Sequence, residues 1–480
     1  ALFSGSNPAP LFDELYTIPT DLGGFGLPAG SATATFVGGG AVPDDQSVIH
    51  QGWWFIHKEL KSVNNDFRLS KELFEGNTLT VGLYLAYYEM DDEWALGNQM
   101  FMTNEPNAVP ITVSYVNAMG ETVQFTDEQG FLDNGGFNIA QHGHAFNSAI
   151  YLSDSWRIGQ WLLDASLRYE NQDATNNVCN LTNVDLDGNP LTNYNNSVPV
   201  CNGTFAVTDY DESITSWTVG ANYSFTDSMS AYVRMNSGGH FLDFDNGIRG
   251  STTGNTPPEQ EIDNYEVGFK FQNDLLYADI SAYFRDFTGL LYQPTDAGGA
   301  PVGDRIPYGS ESTGVNLIGA ITPGENFRFQ VVANWLDGEY TDYDACFPYT
   351  NVVTGNGCAP VEGQQLQRQP KERYMLTPSY RLPLGDSEVE AFVTYTYVGD
   401  HTQDPSGLQQ LGTYHTWDFG ITATISEKWL VALRGTNVTD ELGLTESNSR
   451  IFGVAVDEGG VLLARPLEGS EINLTTTYRW

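Results

Sequence analysis

Apolar and polar residues alternate along this chain over stretches of about ten positions, the spacing of a β-strand with two unlike faces. Leu79, Val81, Leu83, Leu85 and Tyr87 share one face, and Thr80, Gly82, Tyr84 and Ala86 share the other. Trp217, Val219, Ala221, Tyr223 and Phe225 alternate in the same way with Thr218, Gly220, Asn222 and Ser224. The pattern returns at 276–285, 327–335, 389–397 and 417–425, and it runs to the last residue as Ile472, Leu474, Thr476, Tyr478 and Trp480. Amphipathic helical spacing is absent, and no run reaches the roughly 18 to 20 apolar residues that a membrane-spanning helix needs.

The connections between these strands fall into two classes. Short ones are predicted at FEGN near Glu75, SDSW near Asp154, FTDS near Asp227, FQND near Asn273, TPGEN near Gly324, PLGDS near Gly385 and SEK near Glu427. Between them lie long polar stretches at 89–135, 171–213, 337–373 and 437–470. Short turns at one end of a sheet and long loops at the other mark a transmembrane antiparallel β-barrel, with periplasmic turns and extracellular loops. Strands of about ten residues suit a tilted bilayer crossing, whereas soluble strands average about five or six. Aromatic residues at strand ends, among them Tyr87, Trp217, Phe225, Trp335, Tyr395, Trp417 and Trp429, match interfacial girdles.

Composition narrows the function. The chain of 480 residues carries 61 acidic and 21 basic side chains, a formal charge of −40, which excludes nucleic acid as a partner because no basic stripe exists. Nine acidic and no basic residues fall in 89–135, six and none in 171–213. Three explanations stand side by side for these stretches: attraction of cationic or metal-bearing ligands, divalent-ion bridging to lipopolysaccharide, and solubility in a saline habitat. Cys179 with Cys201 and Cys346 with Cys358 form two local pairs, each bracketing a loop-like stretch; loop-closing disulfides or free thiols fit, whereas zinc spacing does not. Asn183, Asp185, Asp187 and Asn189 around Gly188 read as a turn or as part of a calcium loop that lacks its distal Glu. His142 and His144 share a strand face, as lumen-facing polar residues or as an incomplete metal shell. Trp53, Trp54, Trp94, Tyr340, Tyr343 and Tyr349 lie in or near outer loops, where they serve as binding platforms or interface anchors. Neither G-x-S-x-G, H-E-x-x-H nor a P-loop occurs, so an enzyme is not expected, and no cofactor is.

Several segments, in order, resemble the C-terminal part of a TonB-dependent outer-membrane receptor. Pro257-Pro258-Glu259 followed by Tyr265-Glu266-Val267-Gly268-Phe269-Lys270 is similar to the family's PE…YE-x-G-x-K strand. Glu311 to Val315 resembles a GvE strand start, with Asn316 where Glu is usual. Trp335 to Tyr343 resembles the aromatic-acidic segment that follows, and Pro370 with Tyr380 to Pro383 resembles the next hairpin. Asn437-Val438-Thr439-Asp440 is similar to the signature before the last loop, Arg465-Pro466 to the start of the final strand, and Tyr478 with Trp480 to the terminal assembly signal, although Trp replaces the usual Phe.

The resemblance implies a barrel of about 22 strands filled by an N-terminal plug, with energy delivered through a TonB box. Counting seven hairpins plus a terminal strand gives about 15 strands here, an incomplete barrel at 49–480 preceded by an extracellular loop region at 1–48; the plug, the TonB box and about seven strands are expected to be missing. A smaller complete barrel is the alternative organisation. The implied function is import of a scarce large ligand, a ferric siderophore or an oligosaccharide, across the outer membrane of a Gram-negative bacterium. A passive porin-like channel is the alternative. The implied partners are outer-membrane lipid and lipopolysaccharide, the TonB energising complex, and the barrel-assembly machinery through the C-terminal strand.

Overall fold

A computed structural model describes residues 15–17, 32–43, 46–103, 107–132, 138–241, 244, 260–292, 306–342, 346–351, 355–426, 428–447 and 464–479. Fifteen principal strands run in chain order. The first five are β1 (Ser47–Glu72), β2 (Asn77–Thr103), β3 (Asn138–Ile158), β4 (Trp161–Val184) and β5 (Val198–Thr226). The next five are β6 (Met229–His240), β7 (Gln260–Gln272), β8 (Leu276–Tyr292), β9 (Ile306–Ile321) and β10 (Phe327–Thr341). The last are β11 (Glu372–Leu384), β12 (Ser387–Val398), β13 (Tyr414–Ile425), β14 (Trp429–Thr436) and β15 (Glu471–Tyr478). Each pairs antiparallel with the next, so the sheet follows the sequence without a crossover. Among the described residues no ladder joins β15 back to β1, so the barrel is not closed, and β15 and the 55–72 part of β1 form exposed edges.

The period-2 pattern sets the two faces. Val81, Leu83 and Leu85 of β2 point outward and are about 40% exposed, while Gly82 and Ala86 on the opposite face are buried. The register continues this outward row into Leu152 and Ile150 of β3, and such exposed apolar rows recur around the sheet. An apolar outer surface with a polar concave face inverts a soluble protein and suits lipid outside and water within.

Aromatic rings bound the apolar band at both ends. Near the short turns, Trp161 lies 4.7 Å from Tyr223, Tyr223 lies 5.0 Å from Phe225, and Trp429 lies 4.8 Å from Tyr478. Toward the long loops, Tyr374 stacks on Tyr397 at 4.7 Å and Tyr395 lies 4.8 Å from Trp417. About ten tilted residues separate the two levels, close to the roughly 25 Å of a barrel's apolar band.

Two boundary expectations are corrected. The SDSW segment is not a turn: it lies inside β3, and the chain reverses at Gly159-Gln160, where Gly159 adopts φ +57°. Asp154 is held in the strand because its carboxylate accepts from the Asn77 amide at 2.8 Å. The stretches 89–135 and 171–213 are also not wholly loops, since β2 runs on to Thr103, β4 to Val184, and β5 begins at Val198. Above the bilayer both strand faces meet water, so alternation fades while the backbone ladder continues. Glu89, Asp91, Glu93, Asp173, Asp209 and Asp211 therefore stand on an extended wall.

Above this wall a three-stranded sheet (Ala32–Phe36, Ile111–Val116 and Thr122–Gln124) encloses a small core of Val48, Phe101, Ile111, Val113 and Phe125. The segment 32–43 thus packs on the connection between β2 and β3.

Candidate functional site

The concave face of β1 to β5 carries two hydrogen-bonded levels. In the outer one, the Asp92 carboxylate is fully buried and accepts from Trp94 Nε1 at 2.5 Å and Gln141 Nε2 at 2.8 Å, with Lys58 Nζ 3.4 Å away. Asn176, also fully buried, donates to Gln141 Oε1 at 3.1 Å. A carboxylate taken out of water is tolerated only with such donors and a cation beside it.

The level below is directional. Arg168 donates to Glu170 at 2.8 Å and lies over the rings of Tyr84 and Tyr151. Asn147 donates to the other Glu170 oxygen at 3.5 Å, so its own carbonyl faces Gln172, whose amide donates to it at 3.2 Å and to the Tyr88 hydroxyl oxygen at 2.6 Å. Glu170 accepts only, so it orients each amide in the row. Tyr88, Asn147, Glu170 and Gln172 line a cavity of about 310 Å³ together with Ile214, Ser216, His240 and Phe241. Phe241 and Phe244, beyond the end of β6, turn inward against Tyr88, Met90, Ala145 and Ala174. Phe244 sits where a Cβ on Gly143 would stand 2.5 Å from its ring, so only glycine admits it.

Deeper in the wall, rings lie over glycines on the neighbouring strand. Tyr151 covers Gly82, Tyr232 covers Gly268, Tyr283 covers Gly314 and Phe392 covers Gly420, each a directly paired couple. The family-like strand finds its explanation here. Gly268 leaves room for the Tyr232 ring, Glu266 accepts the Tyr232 hydroxyl at 2.6 Å, and Lys270 pairs with Asp279 at 3.2 Å while lying over the same ring. Arg234 bridges Asp164 at 2.9 Å and Thr218 at 3.1 Å. Tyr265 points outward instead, 6.2 Å from Phe284. Solvated ion pairs of this kind add little stability but keep the concave face polar and locally neutral.

The other sequence candidates are distributed as follows. His142 and His144 are not lumenal: they face outward above the upper girdle, with His142 Nδ1 2.6 Å from Asp91 and His144 beside Tyr87. Among the described residues no three metal-ligating side chains converge. Trp94 is not a loop platform but stands in the concave wall, under Lys58 at 4.9 Å. Tyr340 is buried, 5.6 Å from Tyr308, and its hydroxyl accepts from the Gln367 amide at 3.1 Å. Cys179 and Cys201 form the expected disulfide across β4 and β5. Cys346 and Cys358 occupy opposite strands of a hairpin, and their side chains lie outside the described residues, as do those of Trp53, Trp54 and Tyr349. Glu259, Tyr343 and Trp480 lie outside them too.

The 185–192 segment folds as a chain of turns within the disulfide loop. Asp185 accepts from the Gly188 amide at 2.8 Å and Asp187 from that of Asn189 at 2.8 Å. The second bond, with a hydroxyl donated by Thr192, holds the Asp187 carboxyl below its usual pKa.

Two outer staples went unnoticed in the sequence or were noticed only as motifs. Asp404 is fully buried and accepts from the amides of Ser406 at 2.9 Å and Gln409 at 2.5 Å, as well as from the Ser406 hydroxyl. Its Asp-Pro-Ser-Gly run is the available signal. Asn437 adopts φ 43° and donates to the carbonyls of Glu441 and Glu468, each at 3.0 Å, while Asp440 accepts from Ser470 at 3.0 Å. The signature before the last loop therefore ties that loop's two ends together.

The chain matches the family model described as TonB dependent receptor-like, beta-barrel, over residues 12–438. Among solved structures it is similar to the ferric yersiniabactin uptake receptor FyuA from Yersinia pestis, with TM-score 0.53 and 11% identity over 90% of this chain and 61% of that one. It is similar to the siderophore receptor PiuA from Acinetobacter baumannii, with TM-score 0.56 and 14% identity over 88% and 64%. The ferric citrate transporter FecA gives TM-score 0.56 and 12% identity over 91% and 60%. The chain thus spans about three fifths of the length of these structures, and likeness at such identities concerns the fold alone.

Proposed function

We propose an import function for this protein, from the premise that the chain belongs to the TonB dependent receptor-like β-barrel family. It forms part of the wall of an outer-membrane channel in a Gram-negative bacterium. A ligand too large for passive pores, a ferric siderophore or an oligosaccharide, binds at the extracellular mouth and along the concave wall. Energy arrives from the TonB complex, which shifts the receptor between states that hold the ligand differently. No reaction on the ligand is expected, since the family's members are transporters.

The observation that carries this reading is the pairing of an apolar band, flanked at both ends by aromatic ring pairs, with a concave face of hydrogen-bonded and ion-paired polar side chains. Lipid contact accounts for the first, and polar passage for the second. Lipopolysaccharide meets the outward acidic strand extensions, and the barrel-assembly machinery receives the strand ending at Tyr478.

Uptake by cells expressing the full-length receptor tests the proposal. Accumulation of a ferric chelate or an oligosaccharide should stop when TonB is deleted. Accumulation that continues without TonB would make the protein a passive channel.

A further inference from the structure

The connection between β12 and β13 buries the run His401 to Ser406, most of it polar. His401 within it is 3% exposed and faces a backbone carbonyl on each side. Its Nδ1 lies 3.2 Å from the Gly399 oxygen and its Nε2 3.3 Å from the Thr445 oxygen. Thr445 belongs to the short strand Leu444–Ser447, which follows β14 and pairs with Ala464–Pro466. One ring thus joins two outer connections that are remote in sequence.

A carbonyl oxygen only accepts, so both contacts are hydrogen bonds only when both ring nitrogens carry protons. A neutral imidazole has a single N–H. Whichever nitrogen keeps it, the other turns a lone pair toward a buried oxygen, and one of the two bonds is lost.

The charged groups on the elements packed around the ring do not oppose its protonation. On the strand of Thr445, Glu446 is held by Arg368 and Arg465. On the ring's own connection, Asp400 precedes it, and Asp404 accepts from the amides of Ser406 and Gln409. At the start of β11, Glu372 accepts the Gly399 amide on its carbonyl at 2.9 Å, and Arg373 follows it. Four carboxylates against three guanidinium groups leave one negative charge, which favours a cation between them.

We propose that His401 is a proton-dependent latch between the β12–β13 connection and the strand Leu444–Ser447. The latch is closed when the ring is an imidazolium and loosened when it gives up one proton. Its contribution is therefore present at low pH and is lost as pH rises through the range, about 5 to 8, in which histidine ordinarily changes charge. The latch belongs to the outer connections whatever passes between them, so it stands apart from the import reading.

Hydrogen exchange read by mass spectrometry on the full-length receptor in detergent tests it, at about pH 5.5 and about pH 8, with rates corrected for intrinsic exchange. Protection of 444–447, measured against the β14–β15 ladder, should fall about three- to tenfold from the lower to the higher pH, the loss of one hydrogen bond. His401→Gln retains a donor but has no proton to lose, so its protection should be the same at both values. The heat-dependent gel shift of a folded barrel checks that the variant is intact, and the parent profile is decisive without it. Protection in the parent that stays constant or rises with pH would overturn the latch. A fall of equal size in His401→Gln would overturn it too, by assigning the effect to other groups.

Discussion

The five strands from Ser47 to Thr226 and the ten from Met229 to Tyr478 cross one apolar band, yet they leave it in different ways. The first group has strands of 21 to 29 residues, so about half of each stands above the upper girdle. The second has strands of 8 to 17 residues and returns to side-chain staples soon after the girdle. In the tall sector the backbone ladder itself organises the extracellular chain. Its tip is closed by Cys179–Cys201, worth about 3 kcal/mol for a loop of 22 residues in the chain-entropy picture. In the short sector Tyr340, Asp404 and Asn437 do the corresponding work by gathering otherwise orphaned backbone groups. A ladder distributes its stability over many bonds, whereas a staple concentrates it in one residue.

That contrast makes unequal demands on single substitutions. The largest effect is expected from Asp404→Ala, which strands several buried donors and should cost roughly 3 to 5 kcal/mol locally. Limited proteolysis of the reconstituted protein should show cleavage in 399–411 with the strands intact. Resistance equal to the parent would remove the concentrated-staple picture.

A second pair of substitutions locates the top of the lipid band in the tall sector. Ile150→Arg lies within the outward apolar row and should cost about 2 to 4 kcal/mol on folding into vesicles, whereas His144→Arg, above the girdle, should cost about 0 to 1. Equal penalties in urea titrations would mean that lipid reaches the acidic wall.

The smallest effect is a pH dependence of the turn at 185–192. The Asp187 pKa is depressed in the folded chain, so its stabilisation is present above the ordinary carboxylate range and is lost as pH falls through the folded value. Hydrogen exchange of the Asn189 amide should therefore gain on that of the β4–β5 ladder between pH 5 and pH 3, with rates corrected for intrinsic exchange. Parallel behaviour of the two would dissociate the turn from Asp187.

Much of the band was legible in residue order. The rows from Leu79 to Tyr87 and from Trp217 to Phe225 announce strands because lipid on one side and water on the other impose unlike faces. Fifteen strands were countable from the turns, although the Asp154 segment misplaced one of them. The upper wall was not legible: Glu89 to Glu93 and Asp209 to Glu212 have polar neighbours on both sides, and polarity without alternation reads as loop. His142 and His144 were misassigned for a related reason. Spacing places two residues on one face without saying which face looks inward.

The functional candidates divide along the same line. Motif residues such as Gly268, Lys270, Asn437 and Asp440 were found by resemblance, and their partners Tyr232, Asp279, Glu468 and Ser470 come from neighbouring strands or loop ends. No short motif marks Tyr88, Asn147, Glu170 and Gln172, because their row is perpendicular to the chain.

By itself the sequence determined the strands, their order, the apolar band and the family, because each of these is written in local alternation or in contiguous motifs. Tertiary structure alone decided which face is concave, how far β1 to β5 rise above the membrane, and which polar side chains meet across strands. Register is the physical reason: it couples residues tens of positions apart through backbone hydrogen bonds, and a side chain's partner is set by that coupling rather than by its neighbours in the chain.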